Sequence, residues 1–391
     1  MIHRGVATFT LDSGKCPRWL FERMVKLGRE MTTLIVDAYG PDEFIARIAD
    51  PVWFQSLGTV LAFDWNASGL TTILTAALKE AIRGQEKRLG IFICGGKGKT
   101  SRKTPEQIQD WGSALSLPGP QVENLVYNSR MAAKVDSALV QDGFQIYHHS
   151  FFFSRRGAWA VVQQGMNTAN ATARRYHWYS EKITDMVCEP HAGIISQVRA
   201  PGTLDLTASA STPNRSMSTE LVQGTYSGLM KDIEIIRSHS SRLSRMATVE
   251  EPDGRRTTVA QLADTEFRSH PVVGEDFSKS AYLEKILARV CERKPRSYEQ
   301  LLSLEGVGPK TMRALSLVAE VIYGAPASHE DPARYSFAHG GKDATPYPVD
   351  THTYDRSIAF FSALVQKSTL PFYEKRKILN RLQPAGGLHA H

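Results

Sequence analysis

The run Leu301-Leu302-Ser303-Leu304-Glu305-Gly306-Val307-Gly308-Pro309-Lys310-Thr311 places two glycines, a proline and a lysine between two stretches of helical character, and Val349-Asp350-Thr351-His352 follows further along. Gly306 and Gly308 allow a tight turn that other residues resist. Pro309 suits the first turn of the next helix, where its missing amide hydrogen costs little. Backbone amides near Gly306, Val307, Gly308, Lys310 and Thr311 would then stand at a helix N-terminus and form an anion site suited to a DNA phosphate. The Lys310 ammonium adds charge, and contacts of this kind position DNA without reading its bases. Lys310 and Asp350 also bring an amine and a carboxylate into one motif. A desolvated lysine is a nucleophile toward carbon, and a carboxylate stabilises a cationic sugar. The plainer alternative is that Lys310 only grips phosphate, while Asp350 or Thr351 caps a helix.

Further candidate residues lie in the first half. Asp136, Asp142, His148 and His149, if gathered in space, could bind a divalent metal for phosphodiester cleavage, with Lys134 and Gln163 or Gln164 completing the site. Neighbouring histidines on a strand point to opposite faces, so only one of the pair can join a given cluster. Lys97, Lys99, Arg102 and Lys103 surround Gly98-Lys99-Thr100 after an apolar run. A nucleotide-binding P-loop needs a glycine five residues before Gly98, where Ile93 stands, so a basic loop facing phosphate or solvent is the better reading. Arg174-Arg175-Tyr176-His177-Trp178 interleaves cations with aromatics, either to bind phosphates and stack unpaired bases or as a core aromatic cluster.

The elements that must position these residues read as α+β. Leu20, Met24, Leu27, Met31, Leu34 and Ile35 recur at helical spacing after Pro17, and 42–48 and 71–78 predict two more helices. Leu89 to Cys94 predicts a buried strand ending at Gly95-Gly96. Phe144 to Phe153 and Ala158 to Val162 flank Ser154-Arg155-Arg156-Gly157 and predict a hairpin. Residues 1–206 form a mixed unit, 207–257 a Ser/Thr/Pro-rich linker with a helix over about 220–246, and 258–391 a helical region. Within that region Ser297 and Gln300 have the spacing of a capping box. Met312, Leu315, Val318, Ala319 and Ile322 line one helix face before Gly324 stops it. A polar insertion with Gly340-Gly341-Lys342 precedes Asp350 and could contact DNA or stay solvated.

The chain has 391 residues, 42% apolar and 22% charged, with a net charge of +7. A moderate positive excess favours a polyanionic partner. No apolar run is long enough for a membrane span, no secretory signal is visible, and Cys16, Cys94, Cys188 and Cys291 lack metal-ligand spacing. A cytoplasmic protein with reduced thiols is expected. Nothing in the sequence sets the oligomeric state.

The segment from about Tyr282 to Phe361 resembles the helix-hairpin-helix DNA glycosylase superfamily, especially its endonuclease III branch, through Gly306-Val307-Gly308-Pro309-Lys310-Thr311 and Val349-Asp350-Thr351-His352. The resemblance implies Lys310 as a Schiff-base nucleophile and Asp350 as the carboxylate that assists base departure. No cysteine follows Cys291, so the iron–sulfur cluster of many such relatives is not expected. The motifs Phe63-Asp64-Trp65, Gly95-Gly96-Lys97-Gly98, Ser129-Arg130-Met131-Ala132-Ala133-Lys134 and Tyr147-His148-His149-Ser150 resemble a prokaryotic family, domain of unknown function 763, over most of the chain. Together these readings imply a DNA-processing or repair protein, foremost an N-glycosylase with abasic-site lyase activity. The alternatives are a metal-dependent DNA nuclease that docks DNA on the hairpin, and a DNA-binding protein without catalysis.

Overall fold

Five strands rich in β-branched and aromatic residues build the centre of the molecule. They are β1 (Ile91–Lys97), β3 (Gln145–Ser154), β4 (Trp159–Asn167), β5 (Thr172–Tyr179) and β6 (His191–Ser196), joined as an antiparallel sheet in the order β1-β3-β4-β5-β6. The registers pair Lys97 with His148, His149 with Gln163, Gly165 with Arg174 and Arg174 with Ser196. A computed structural model describes residues 16–61, 67–200, 202–239, 248–250, 256–258, 280–333, 351–369 and 371–382. Short pairs β2 (Val140–Gln141) with β7 (Leu204–Asp205), and β8 (Thr248–Glu250) with β9 (Arg256–Thr258), lie outside this sheet.

Alternation along the strands sends side chains to two faces, and each face carries its own helical layer. Ile91, Ile93, Phe152, Ala160 and Val162 meet α1 (Arg18–Tyr39), α2 (Pro41–Ala49), α3 (Pro51–Val60) and α4 (Ala67–Ala81) through Met31, Phe44, Phe54 and Leu74. A short α5 (Glu86–Leu89) leads into β1. Phe92, Phe151, Phe153, Val161 and Trp178 face the other way, toward α6 (Thr104–Ala114) and α7 (Gly119–Ala138). The second core runs on without interruption into α8 (Thr212–Gln223), α9 (Tyr226–His239), α10 (Ala281–Arg293), α11 (Tyr298–Ser303) and α12 (Pro309–Val321), through Val222, Ile233, Leu287, Leu301 and Leu315. Behind the first layer, α13 (Thr351–Lys367) adds Phe361 and Val365, and α14 (Phe372–Leu382) follows.

Local chemistry accounts for the helix boundaries. Asp50 Oδ1 accepts from the amides of Val52 (2.8 Å) and Trp53 (3.0 Å), and Pro51 occupies the first turn of α3. Ser297 Oγ accepts from Gln300 N (3.1 Å), as the capping-box spacing predicts, while Gln300 Oε1 reaches back to Arg296 N (2.9 Å). The α+β reading holds, as does the hairpin of β3 and β4 around Ser154 to Gly157.

Two expectations are corrected. A continuous helix over 220–246 does not form. Gly224 ends α8, and Thr225 Oγ1 accepts from Gly228 N (3.2 Å) to start α9, a local bond that competes with helix continuation. The Ser/Thr/Asn-rich stretch after Thr207 is no exposed linker. Asn214 is buried and donates to Ser316 O (3.0 Å) and Ala325 O (2.9 Å), tying α8 to α12. Among the described residues, no helix is long and apolar enough to cross a membrane. The four cysteines form no disulfide, and burial pushes the Cys94 thiol up to about 12.

Candidate nucleic-acid interface

The turn between α11 and α12 is built so that one residue anchors it and its glycines shape it. Val307 is buried in the core and its amide donates to Leu304 O (3.3 Å). Gly306 has φ +85°, and a Cβ there would run into the side chain of Ile286, so glycine answers both the backbone and the space. Gly308 is extended with nothing near its Cβ position, and its carbonyl accepts from Met312 N (3.0 Å) to open α12. Lys310 is exposed and Thr311 is buried. Amides in the first turn of a helix lack intrahelical acceptors, so the edge from Gly308 to Lys310 presents donors and one cation.

The carbonyl side of the turn is held by the N-terminal half. Lys134 Nζ donates to Leu304 O (2.6 Å), and Gln141 Nε2 donates to Pro309 O (3.1 Å) while Arg313 Nε donates to Gln141 Oε1. Tyr127 OH donates to Glu299 Oε1 (2.5 Å), fixing α11 to the middle of α7. These seats are the residues that sequence reasoning missed in this role. Lys134 and Leu304 lie 170 positions apart and no local pattern links them.

The basic segment after β1 packs on β1 and β3 and leads into α6. It is a 3-10 turn, Gly98–Lys103, in which Lys99, Arg102 and Lys103 are exposed, as is Lys97 before it. The turn is rooted in β1, because Gln107 Oε1 accepts from Gly95 N (2.9 Å) and from Lys79 Nζ (2.9 Å). Helices α6 and α7 pack together, with Gly112 against Val122, and Gln109 of α6 lines the same groove as Arg130 and Lys134. Arg130 is exposed at the edge of that groove, while the cations of the basic turn and Lys310 are exposed on their own elements.

The metal quartet does not assemble. Asp136 and Asp142 belong to separate networks, and His148 and His149 point to opposite faces of the sheet, as alternation requires. Among the described residues, no group of three or more His, Cys, Asp or Glu could hold a metal ion. Asp136 instead accepts from Gln163 Nε2 (2.5 Å), Trp178 Nε1 (3.0 Å) and, on its other oxygen, His191 Nε2 (2.6 Å). Because the Gln163 amide nitrogen faces Asp136, its oxygen accepts a hydrogen bond from His149 Nδ1 (2.9 Å). His149 Nε2 is then the acceptor for Ser129 Oγ (2.9 Å), and burial pushes the His149 pKa down. His148 meets Thr75 Oγ1 and Ser150 Oγ (both 3.1 Å), and burial pushes its pKa to about 3.

Arg174 and Arg175, expected to contact DNA, are both fully buried. Arg174 donates to Asp142 Oδ2 (2.9 Å) and in a two-pronged pair to Asp331 Oδ1 and Oδ2 (2.8 Å each). Burial opposes the Arg174 charge, but Asp142 and Asp331 outweigh it and keep the guanidinium ionised. Tyr176 OH completes the cluster on Asp142 (2.6 Å). Arg175 lies over the Phe54 ring and donates to Gln55 Oε1 (3.0 Å), and burial pushes its pKa down to about 9. The aromatic and cationic run of β5 is core wiring, because a strand central to the sheet has both faces covered by helices.

Asp350, Gly340-Gly341-Lys342 and Phe63-Asp64-Trp65 lie outside the described residues, as do the side chains of His352 and Arg356. The description "Protein of unknown function (DUF763)" belongs to a family whose model matches residues 5–349. No curated protein and no solved structure matches the chain.

Proposed function

The chain belongs to the DUF763 family, and we propose that it is a DNA-binding protein that processes or repairs DNA, with removal of a base as its reaction. The observation that carries this reading is the Gly306-Val307-Gly308 turn, seated by its carbonyls on Lys134 of α7 and Gln141 of β2 and open at Gly308 and Lys310. Helix-terminal amides and scattered lysines bind a phosphate backbone and not a base edge, so the binding would be strong on any duplex and steeply salt-dependent. The resemblance of this turn and of Val349-Asp350-Thr351-His352 to helix-hairpin-helix glycosylases supports base excision. Asp350 would stabilise positive charge on the sugar as the base departs. Lys310 is exposed, which suits a phosphate grip better than a nucleophile that needs desolvation. The nuclease reading lacks a comparable support, since its ligand set is split among separate buried networks.

Fluorescence anisotropy with duplex DNA at several salt concentrations tests the first step. Saturable binding that weakens with salt is expected, and an absence of binding at low salt would overturn the reading. For the reaction, release of a damaged base that persists in EDTA and is lost in Asp350→Asn is expected. Cleavage of undamaged strands that EDTA abolishes would move the assignment to a nuclease.

A further inference from the structure

Beside the hairpin, α7, with Gln109 of α6 and Ser303 of α11, lines an open cavity of about 780 Å³, a size suited to a nucleotide. Val122, Val126 and Met131 give it an apolar wall, and Gln109, Arg130 and Lys134 bring polar groups into it. Lys134 is half-buried there, and its amine is held by the carbonyl of Leu304, the first residue of the hairpin turn, at 2.6 Å. The amine is therefore in direct contact with the hairpin backbone. Two other lysines sharpen the choice. Lys310 is solvated on the outer edge. Lys79 is also half-buried, but Gly95 O (3.0 Å) and Gln107 Oε1 (2.9 Å) both hold it, and it does not line the cavity. Burial pushes the Lys134 pKa down, which raises its share of neutral, nucleophilic amine.

We propose that Lys134 is the amine that bonds covalently to the open-chain aldehyde of an abasic deoxyribose, taken into this cavity while the hairpin holds a flanking phosphate. The inference rests on the DNA-binding reading above. The neutral ε-amine adds to the aldehyde carbon C1′, forming a C–N bond. Both amine hydrogens leave with the carbonyl oxygen as one water, and a carbon–nitrogen double bond remains. Arg130, exposed at the cavity, faces the adjoining phosphate charge.

The test is borohydride trapping on abasic duplex DNA with the full chain, Lys134→Arg, Lys134→Gln and Lys310→Gln, alongside anisotropy and thermal melts. Lys134→Arg retains a donor for Leu304 O but has no amine able to form an imine, so it separates chemistry from seating. Loss of the cross-link in both Lys134 variants, at DNA concentrations that anisotropy shows to saturate each of them, is the expected result. Peptide mapping of the trapped wild-type protein should place the adduct on Lys134, and Lys310→Gln should still cross-link at DNA concentrations that saturate it. An adduct on Lys310, a cross-link that survives Lys134→Arg, or a wild-type protein that binds abasic DNA without any trapping would each overturn the assignment. Failure of the wild type to bind DNA would instead overturn the reading on which it stands.

Discussion

The interior of the sheet and the edge of the hairpin differ in whether solvent can reach their polar groups. Between β3 and β6 lie aspartates, histidines, glutamines and arginines in a density that suggests chemistry. Yet these networks are sealed from solvent, including the few atoms, such as His148 Nδ1 and His177 Nε2, that find no partner. The chain Ser129, His149, Gln163, Asp136 even has the order of a nucleophile, a base and an orienting group. Ser129 is 2% exposed and His149 4%, so no substrate can reach the hydroxyl. The hairpin edge has far fewer such residues, but Lys310 and the glycine turn face outward with donors to spare. Residue type marks both regions; only the second is exposed to a partner.

The contrast can be broken most sharply at Arg174. Arg174→Met removes the partner of two buried carboxylates, Asp142 and Asp331, and should cost about 3–5 kcal/mol in urea unfolding. A loss no larger than that of a surface change would show that the network is not structural. Acid should act on the same interior. His148, His149 and His177 are buried and burial holds each neutral, His148 down to about 3. The unfolded chain takes up protons from about pH 6.5, while the folded chain does so only at lower pH. Stability should therefore be full above about pH 6.5 and fall as pH drops toward 3, by up to about 1.4 kcal/mol per pH unit for each histidine. Denaturant titrations at pH 7 and pH 5 would measure it, and an unchanged midpoint would contradict these assignments.

Smaller effects are expected at the hairpin. Gly306→Ala forces a left-handed conformation on alanine and presses on Ile286, at a cost of about 1–2 kcal/mol in thermal or urea unfolding. The smallest change in stability should come from Lys310→Ala, within about 0.5 kcal/mol. Its mark would appear elsewhere, as weaker DNA binding with a salt slope shallower by about 0.9 if one phosphate contact is lost. A Lys310→Ala protein that melts as before and binds DNA as before would remove Lys310 from the interface.

Much of the local structure was legible. The Ser297 cap, the β3–β4 hairpin and the helical stripe of Met312, Leu315 and Val318 each follow from interactions within a few residues. Opposite placement of His148 and His149 follows from strand geometry alone. The candidate site was legible only in its glycine turn, because φ and close approach restrict which residues can stand there.

Which polar residues would be consumed by the fold was a different matter. Arg174 meets Asp331 across 157 positions, and Lys134 meets Leu304 across 170. Sequence by itself determined an α+β chain with a phosphate-suited turn, since backbone sterics, capping and hydrophobic periodicity act over short range. Only the tertiary structure decided that Arg174 and Arg175 are interior, that the two aspartates part company, and that Lys134 comes to the hairpin. Desolvation and charge pairing depend on neighbours brought together by the folded chain, not on neighbours in sequence.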